Sequence, residues 1–95
     1  MRITWTIQAQ SHLRSIREYI GLDNPKAAQK VARRIRDAAK LLKDHPRLGR
    51  PVIGDVRELV VRTAPYIIEY KYRAGSDVVF IVSVIHTARD RPPRP

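Results

Sequence analysis

Four side chains in the C-terminal half of this sequence are of the right type for chemistry at phosphate: Arg57, Arg62, His86 and Arg89. Metal-free cleavage of RNA needs a base for the ribose 2′-hydroxyl and an acid for the 5′-oxygen. It also needs cations for the charged phosphorane, and often a ring on which a base stacks. Imidazole titrates near neutrality, so His86 can serve as acid or base. Glu58 is a second candidate base, the three arginines supply cations, and Tyr66, Tyr70 or Tyr72 supplies the ring. Each residue also has a plainer role. A lone histidine ending a strand more often satisfies the hydrogen bonds of that strand's own edge. Tyrosines at alternate positions more often form core and rim, and Glu58 can pair across a sheet with Arg57 or Arg62. These residues alone are not a catalytic signature.

Other chemistries find less support. There is no cysteine, and His12, His45 and His86 lie far apart without ligand spacing, so neither a metal nor a cofactor is expected. The four glycines are scattered and form no phosphate-binding loop. The serines lack the context of an activated nucleophile.

Charge is the informative bulk property. Nineteen Lys+Arg oppose nine Asp+Glu, for a net charge of +10 and a pI near 10.9. Arginines outnumber lysines fourteen to five, which favours planar contacts to phosphate or carboxylate. Arg33, Arg34, Arg50, Arg57, Arg62, Arg73, Arg89 and Arg91 are the candidates for a basic binding surface. The partner is then polyanionic, either nucleic acid or an acidic protein. The longest apolar run, from Val78 to Ile85, is broken by Ser83 and is too short to span a bilayer. The N-terminus enters a strand-like pattern without a signal-peptide core. A cytoplasmic protein with no membrane association is expected.

These side chains must be positioned by one domain, since 95 residues suffice for a single core. Ile3, Trp5 and Ile7 alternate with polar neighbours, a half-buried first strand. From Ala9 the period becomes helical: Ala9, Leu13, Ile16 and Ile20 share a stripe, and Gly21 is a stop. Asn24-Pro25 reads as the cap and first turn of a second helix reaching about Asp44. Its inner face holds Ala28, Val31, Ile35, Ala38 and Leu42; its outer face holds Lys26, Lys30, Arg33, Arg34 and Lys40. His45-Pro46 ends that helix, and residues 47–51 read as a loop closed by Gly54. Three strands follow, Val56 to Arg62, Tyr66 to Arg73 and Val78 to His86, the last two joined by a turn over Ala74-Gly75-Ser76-Asp77. Tyr66, Ile68, Tyr70 and Tyr72 face one way. The last strand is apolar on both faces and so should be central. The expectation is a single α+β domain over residues 1–92, β-α-α-β-β-β, with a helical hairpin packed on a small, mainly antiparallel sheet. Residues 93–95 form a short proline-rich tail.

An ordered set of fragments adds a resemblance. Trp5, Leu13-x-x-Ile16-x-x-Tyr19-Ile20 and Asn24-Pro25-x-Ala27-Ala28 come first. Pro46-x-x-Gly49-Arg50-Pro51, Arg57-Glu58-Leu59-Val60-Val61, Tyr66-x-Ile68-x-Tyr70 and Val84-Ile85-His86-x-x-Arg89 follow. Together they resemble the RelE/ParE superfamily of bacterial type II toxin–antitoxin modules, over nearly the whole chain. The resemblance implies the β-α-α-β-β-β fold and an acidic antitoxin whose C-terminal segment folds onto the basic toxin. One branch, RelE-like, consists of ribosome-dependent mRNA endonucleases with basic residues in the sheet cleft and commonly a tyrosine after the last strand. The other, ParE-like, poisons DNA gyrase. This chain has no tyrosine after Tyr72 and no lysines in the loop before the second strand. It therefore looks closer to the ParE branch, with no catalytic residue. The alternative, a RelE-like nuclease acting on ribosome-bound mRNA, would use Arg57, Arg62, His86 and Arg89.

Overall fold

The computed structural model describes residues 1–89; Arg91 and the boundary near residue 92 lie outside them. Strand β1 (Arg2–Trp5) leads into helix α1 (Ile7–Gly21), then helix α2 (Pro25–Lys40) with a single 3-10 turn at Leu41–Lys43. Strands β2 (Arg50–Ile53), β3 (Val56–Val61), β4 (Tyr66–Lys71) and β5 (Val78–His86) complete the elements of the described residues. The α+β expectation holds, with one strand more than the sequence suggested. The five strands form one sheet in the order β1-β5-β4-β3-β2. β1 pairs with β5 in parallel and the remaining neighbours are antiparallel.

Local chemistry explains the helix boundaries. Thr6 caps α1 by accepting the Ala9 amide at 3.1 Å, so Ile7 becomes a helical residue exposed to 86% rather than the third inward member of β1. Asn24 caps α2 through the Ala27 amide at 3.1 Å, with Pro25 at the first position, as its sequence implied. The regular helix stops at Lys40, and the expected continuation to Asp44 is the tighter 3-10 turn instead.

The core lies between the helical pair and one face of the sheet. Ala9, Ile35, Ala39 and Leu42 meet Val61, Tyr66, Ile68, Tyr70, Val79, Ile81 and Val84 in one buried cluster. Each large aliphatic side chain in it contributes roughly 1.5–3 kcal/mol through burial. Ala32 and Ala39 are also buried on α2, small residues that let the helix sit close. β4 is the central strand, and Ile67 on its other face is buried as well. β5, expected to be central, is instead one place off centre, an interior strand between β1 and β4.

The correction concerns β2. Its sequence, Arg50-Pro51-Val52-Ile53, reads as loop because proline cannot donate to a ladder. Here Pro51 sits on the outermost strand, where no ladder bond is asked of it on the outer side. The register also slips between Pro51 and Ile53. β2 covers only Val56 to Glu58 of β3. The outer edge of Leu59 to Val61 carries no strand among the described residues.

Candidate functional site

The residues of the nuclease reading do not form one cluster, since Arg57 stands apart from His86. Arg57 lies opposite Tyr70 and His86 opposite Tyr66. These partners are four residues apart on β4, roughly 13 Å at 3.3 Å per residue. Arg57 is committed to the segment before β2: its Nη1 donates to the carbonyls of Gly49 at 2.8 Å and Arg47 at 3.3 Å. Arg62 follows the end of β3 and is exposed. His86 Nδ1 accepts the amides of Ala88 (3.1 Å) and Arg89 (3.2 Å), closing the turn after β5. Its ring stands edge-on to Tyr66 with centroids 5.3 Å apart. The Arg89 guanidinium turns towards α1 and lies 5.2 Å from the centre of the Tyr19 ring, a cation–π contact.

The remaining basic candidates are dispersed. Arg33 is exposed on α2, whereas Arg34, at the surface, donates to the Thr63 carbonyl at 2.9 Å and so joins α2 to the β3–β4 connection. Arg50 pairs with Glu58 at 3.1 Å. Among the described residues that is the ion pair of Glu58, in place of the expected Arg57 or Arg62, because β2 lies alongside β3. Glu58 is buried and engaged, which sets it against a role as base. Arg73 and Asp55 make a 3.4 Å surface pair of little energetic weight.

The sequence reading missed an anchoring knot centred on Tyr70. The Tyr70 hydroxyl donates to the Pro46 carbonyl at 2.8 Å and accepts the Gly49 amide at 2.8 Å. Burial pushes this phenol above its ordinary pKa, while the Gly49 amide and the Arg57 charge pull the other way. Pro46, Gly49, Arg57 and Tyr70 therefore form one positioning unit, and the spacing Pro46-x-x-Gly49 was its visible trace. A second unit was also missed. Beyond Trp5, where β1 ends, side chains of α1 take over the edge of β5. Thr6 Oγ1 and Gln8 Nε2 donate to the Val82 carbonyl, Gln8 also reaches Ser83, and His12 Nδ1 accepts the Val84 amide at 3.2 Å. His12 is thus a backbone acceptor.

Two clefts flank these units. One, about 700 Å³, runs between α2 and β3, lined by Arg34, Ala38, Leu41, Leu48, Leu59 and Arg62 among others. Leu41, Leu48 and Val60 are more than half exposed there. The other, about 430 Å³, lies between α1 and β5 and includes His12, Tyr19 and Arg89. Among the described residues no group of three or more His, Cys, Asp or Glu side chains is placed to hold a metal ion. No helix is long and apolar enough to cross a membrane.

Comparison with known proteins agrees with this architecture. Residues 3–91 match the family model described as ParE toxin of type II toxin-antitoxin system, parDE. The chain is 42% identical over 88 residues to Toxin RelE2 of Caulobacter vibrioides, covering 93% of this chain and 97% of that one. It is 42% identical over 92 residues to the chain Y4kP of Sinorhizobium fredii, covering 96% and 93%. A solved structure titled as the chromosomal ParDE TA system from P. aeruginosa superposes with a TM-score of 0.79 at 22% identity, covering 90% of this chain and 95% of that one. With family, relatives and fold in agreement over nearly its full length, the chain belongs to the ParE toxin family of type II toxin–antitoxin systems.

Proposed function

We propose that this toxin acts by binding, with DNA gyrase as its target, and that it has no nuclease site. The observation that carries the reading is the separate employment of three of the four candidate residues, with Arg62 left exposed at the end of β3. Arg57 holds loop carbonyls, His86 Nδ1 holds two turn amides, and Arg89 packs on Tyr19. General acid–base catalysis needs groups within hydrogen-bond reach of one reacting atom. Family membership favours the gyrase branch for the same chain.

The family also implies an antitoxin partner. The α2–β3 cleft offers that partner exposed leucines, an unpaired strand edge at Leu59 to Val61, and the cations Arg34 and Arg62 at its rim. An acidic, amphipathic segment suits it, adding main-chain hydrogen bonds to apolar burial.

The test is purified toxin incubated with gyrase, ATP and supercoiled plasmid, followed by denaturation of the enzyme. Accumulating linear DNA supports the reading. Unchanged plasmid, together with cuts in translated mRNA in a ribosome assay, would establish the nuclease alternative, for which the likeness to a chain named RelE2 is the relevant observation.

A further inference from the structure

A row of cations runs along the outer side of α2. Lys26, Lys30, Arg33 and Lys40 are all exposed and fall within an arc of about 80° at 100° per residue. They span roughly 21 Å at 1.5 Å per residue. Arg36 is exposed at the margin of the row. The single carboxylate of α2, Asp37, lies within it and pairs with Lys40 at 3.8 Å.

The N-terminal part of this row, Lys26, Lys30 and Arg33, works against the helix that carries it. Like charges three and four positions apart repel, and Lys26 sits in the first turn, where the positive end of the helix opposes a cation. That turn holds no acidic residue. What holds α2 in place is its other side, where Ala28, Ala32, Ile35 and Ala39 are buried. The row is therefore not explained by the fold, and an external polyanion would relieve its repulsion.

The surface chemistry selects among polyanions. No large apolar side chain is exposed between Pro25 and Lys40, so a protein segment laid along the row would bury little apolar area. Protein interfaces need an apolar centre; phosphate contacts need only cations. The apolar α2–β3 cleft borders the row at Asp37 and Leu41, and the cations themselves lie outside its lining. We infer that the outer face of α2 binds the sugar–phosphate backbone of duplex DNA, independently of base sequence. Its length exceeds the roughly 12 Å width of a major groove, so the row reaches phosphates on both sides. Such contacts position a protein without reading sequence.

The test is fluorescence anisotropy of the full-length chain with a labelled duplex of about 20 base pairs, over a range of salt concentrations, in two unrelated sequences. Both should bind alike, with log affinity falling against log salt at a slope of about −3 or steeper. A variant carrying Lys26→Gln, Lys30→Gln and Arg33→Gln should bind at least about tenfold more weakly at low salt. Its slope should be shallower by about two to three, near 0.9 for each phosphate no longer neutralised. A control carrying Arg14→Gln, Arg17→Gln and Lys71→Gln loses the same charge at exposed positions elsewhere and should bind nearly as well as the parent. Equal losses in both variants would overturn the inference, since net charge alone would then explain binding. So would no binding at low salt, or tighter binding to an RNA hairpin of similar length. Failure here would leave the gyrase reading standing, because trapped cleavage by gyrase is a separate readout.

Discussion

The hydroxyl of Tyr70 and the backbone amide of Gly49 meet at 2.8 Å, twenty-one residues apart in sequence. That bond fastens the segment after α2 to the central strand. It also places Arg57 where its guanidinium can hold the Gly49 carbonyl.

Gly49 has no room for a side chain. An added Cβ would lie 2.6 Å from the Glu58 carbonyl oxygen and 2.7 Å from Tyr70 Cε1. The obstruction includes backbone, so it cannot be relieved by rotating one flexible group. Gly49→Ala should cost about 1–3 kcal/mol, measured as a lower urea midpoint with unchanged slope.

Tyr70→Phe removes the donor to Pro46 and leaves the buried Gly49 amide without its acceptor, at a cost of about 1–3 kcal/mol. It should also alter the response to alkali. The folded-state pKa of Tyr70 is raised by burial, so above about pH 10, the ordinary value for tyrosine, the unfolded chain releases a proton that the folded chain retains. Stability from this group is fully present below that pH and is lost as pH rises towards the folded-state pKa. Denaturation from pH 8 to 11 should show a loss in the parent that is smaller in Tyr70→Phe; parallel curves would refute the assignment.

His12→Ala should cost about 1 kcal/mol, because the Val84 amide on β5 loses the ring nitrogen that accepts it. Amide hydrogen exchange provides a local check. Exchange at Val84 should accelerate, while amides paired between β3 and β4 remain protected.

His86→Ala separates structure from catalysis. The turn amides of Ala88 and Arg89 lose their acceptor, so the melting temperature should fall by a few degrees, corresponding to about 1 kcal/mol. Growth inhibition on induction should persist. A thousandfold loss of toxicity with the fold intact would return His86 to a catalytic role.

Leu41→Asp combined with Leu48→Asp tests the α2–β3 cleft. Both side chains are about half exposed, so the fold should tolerate the change. Affinity for the co-encoded antitoxin should drop by about a hundredfold or more, from reduced apolar burial and new repulsion against an acidic partner. Titration calorimetry would register it; unchanged affinity would place the antitoxin elsewhere.

The elements that were legible in sequence were those fixed by local chemistry. Asn24 and Pro25 mark the start of α2 wherever the helix docks, and the alternation of Tyr66, Ile68 and Tyr70 sets the inward face of β4. β2 was hidden because Pro51 and a slipped register suppress its pattern, and only its neighbour makes it a strand. The candidate site was legible as a set of cations but not as geometry. Arg57 binds carbonyls eight to ten residues earlier, and Arg89 binds a ring seventy residues earlier on α1. Nothing in the spacing of arginines encodes such destinations. Gly49 was visible in its motif; its reason, the Tyr70 ring against it, was not.

The parallel pairing of β1 with β5 has a consequence for the timing of synthesis. Thr6 reaches a carbonyl 76 residues further along the chain, so the first strand finds its neighbour only after the chain through β5 has emerged from the ribosome. Until then α1 has no β5 edge to satisfy, and the core lacks Val79, Ile81 and Val84. A product stalled before β5 is left with β1 unpaired, and this domain reaches its toxin fold only once β5 has been made.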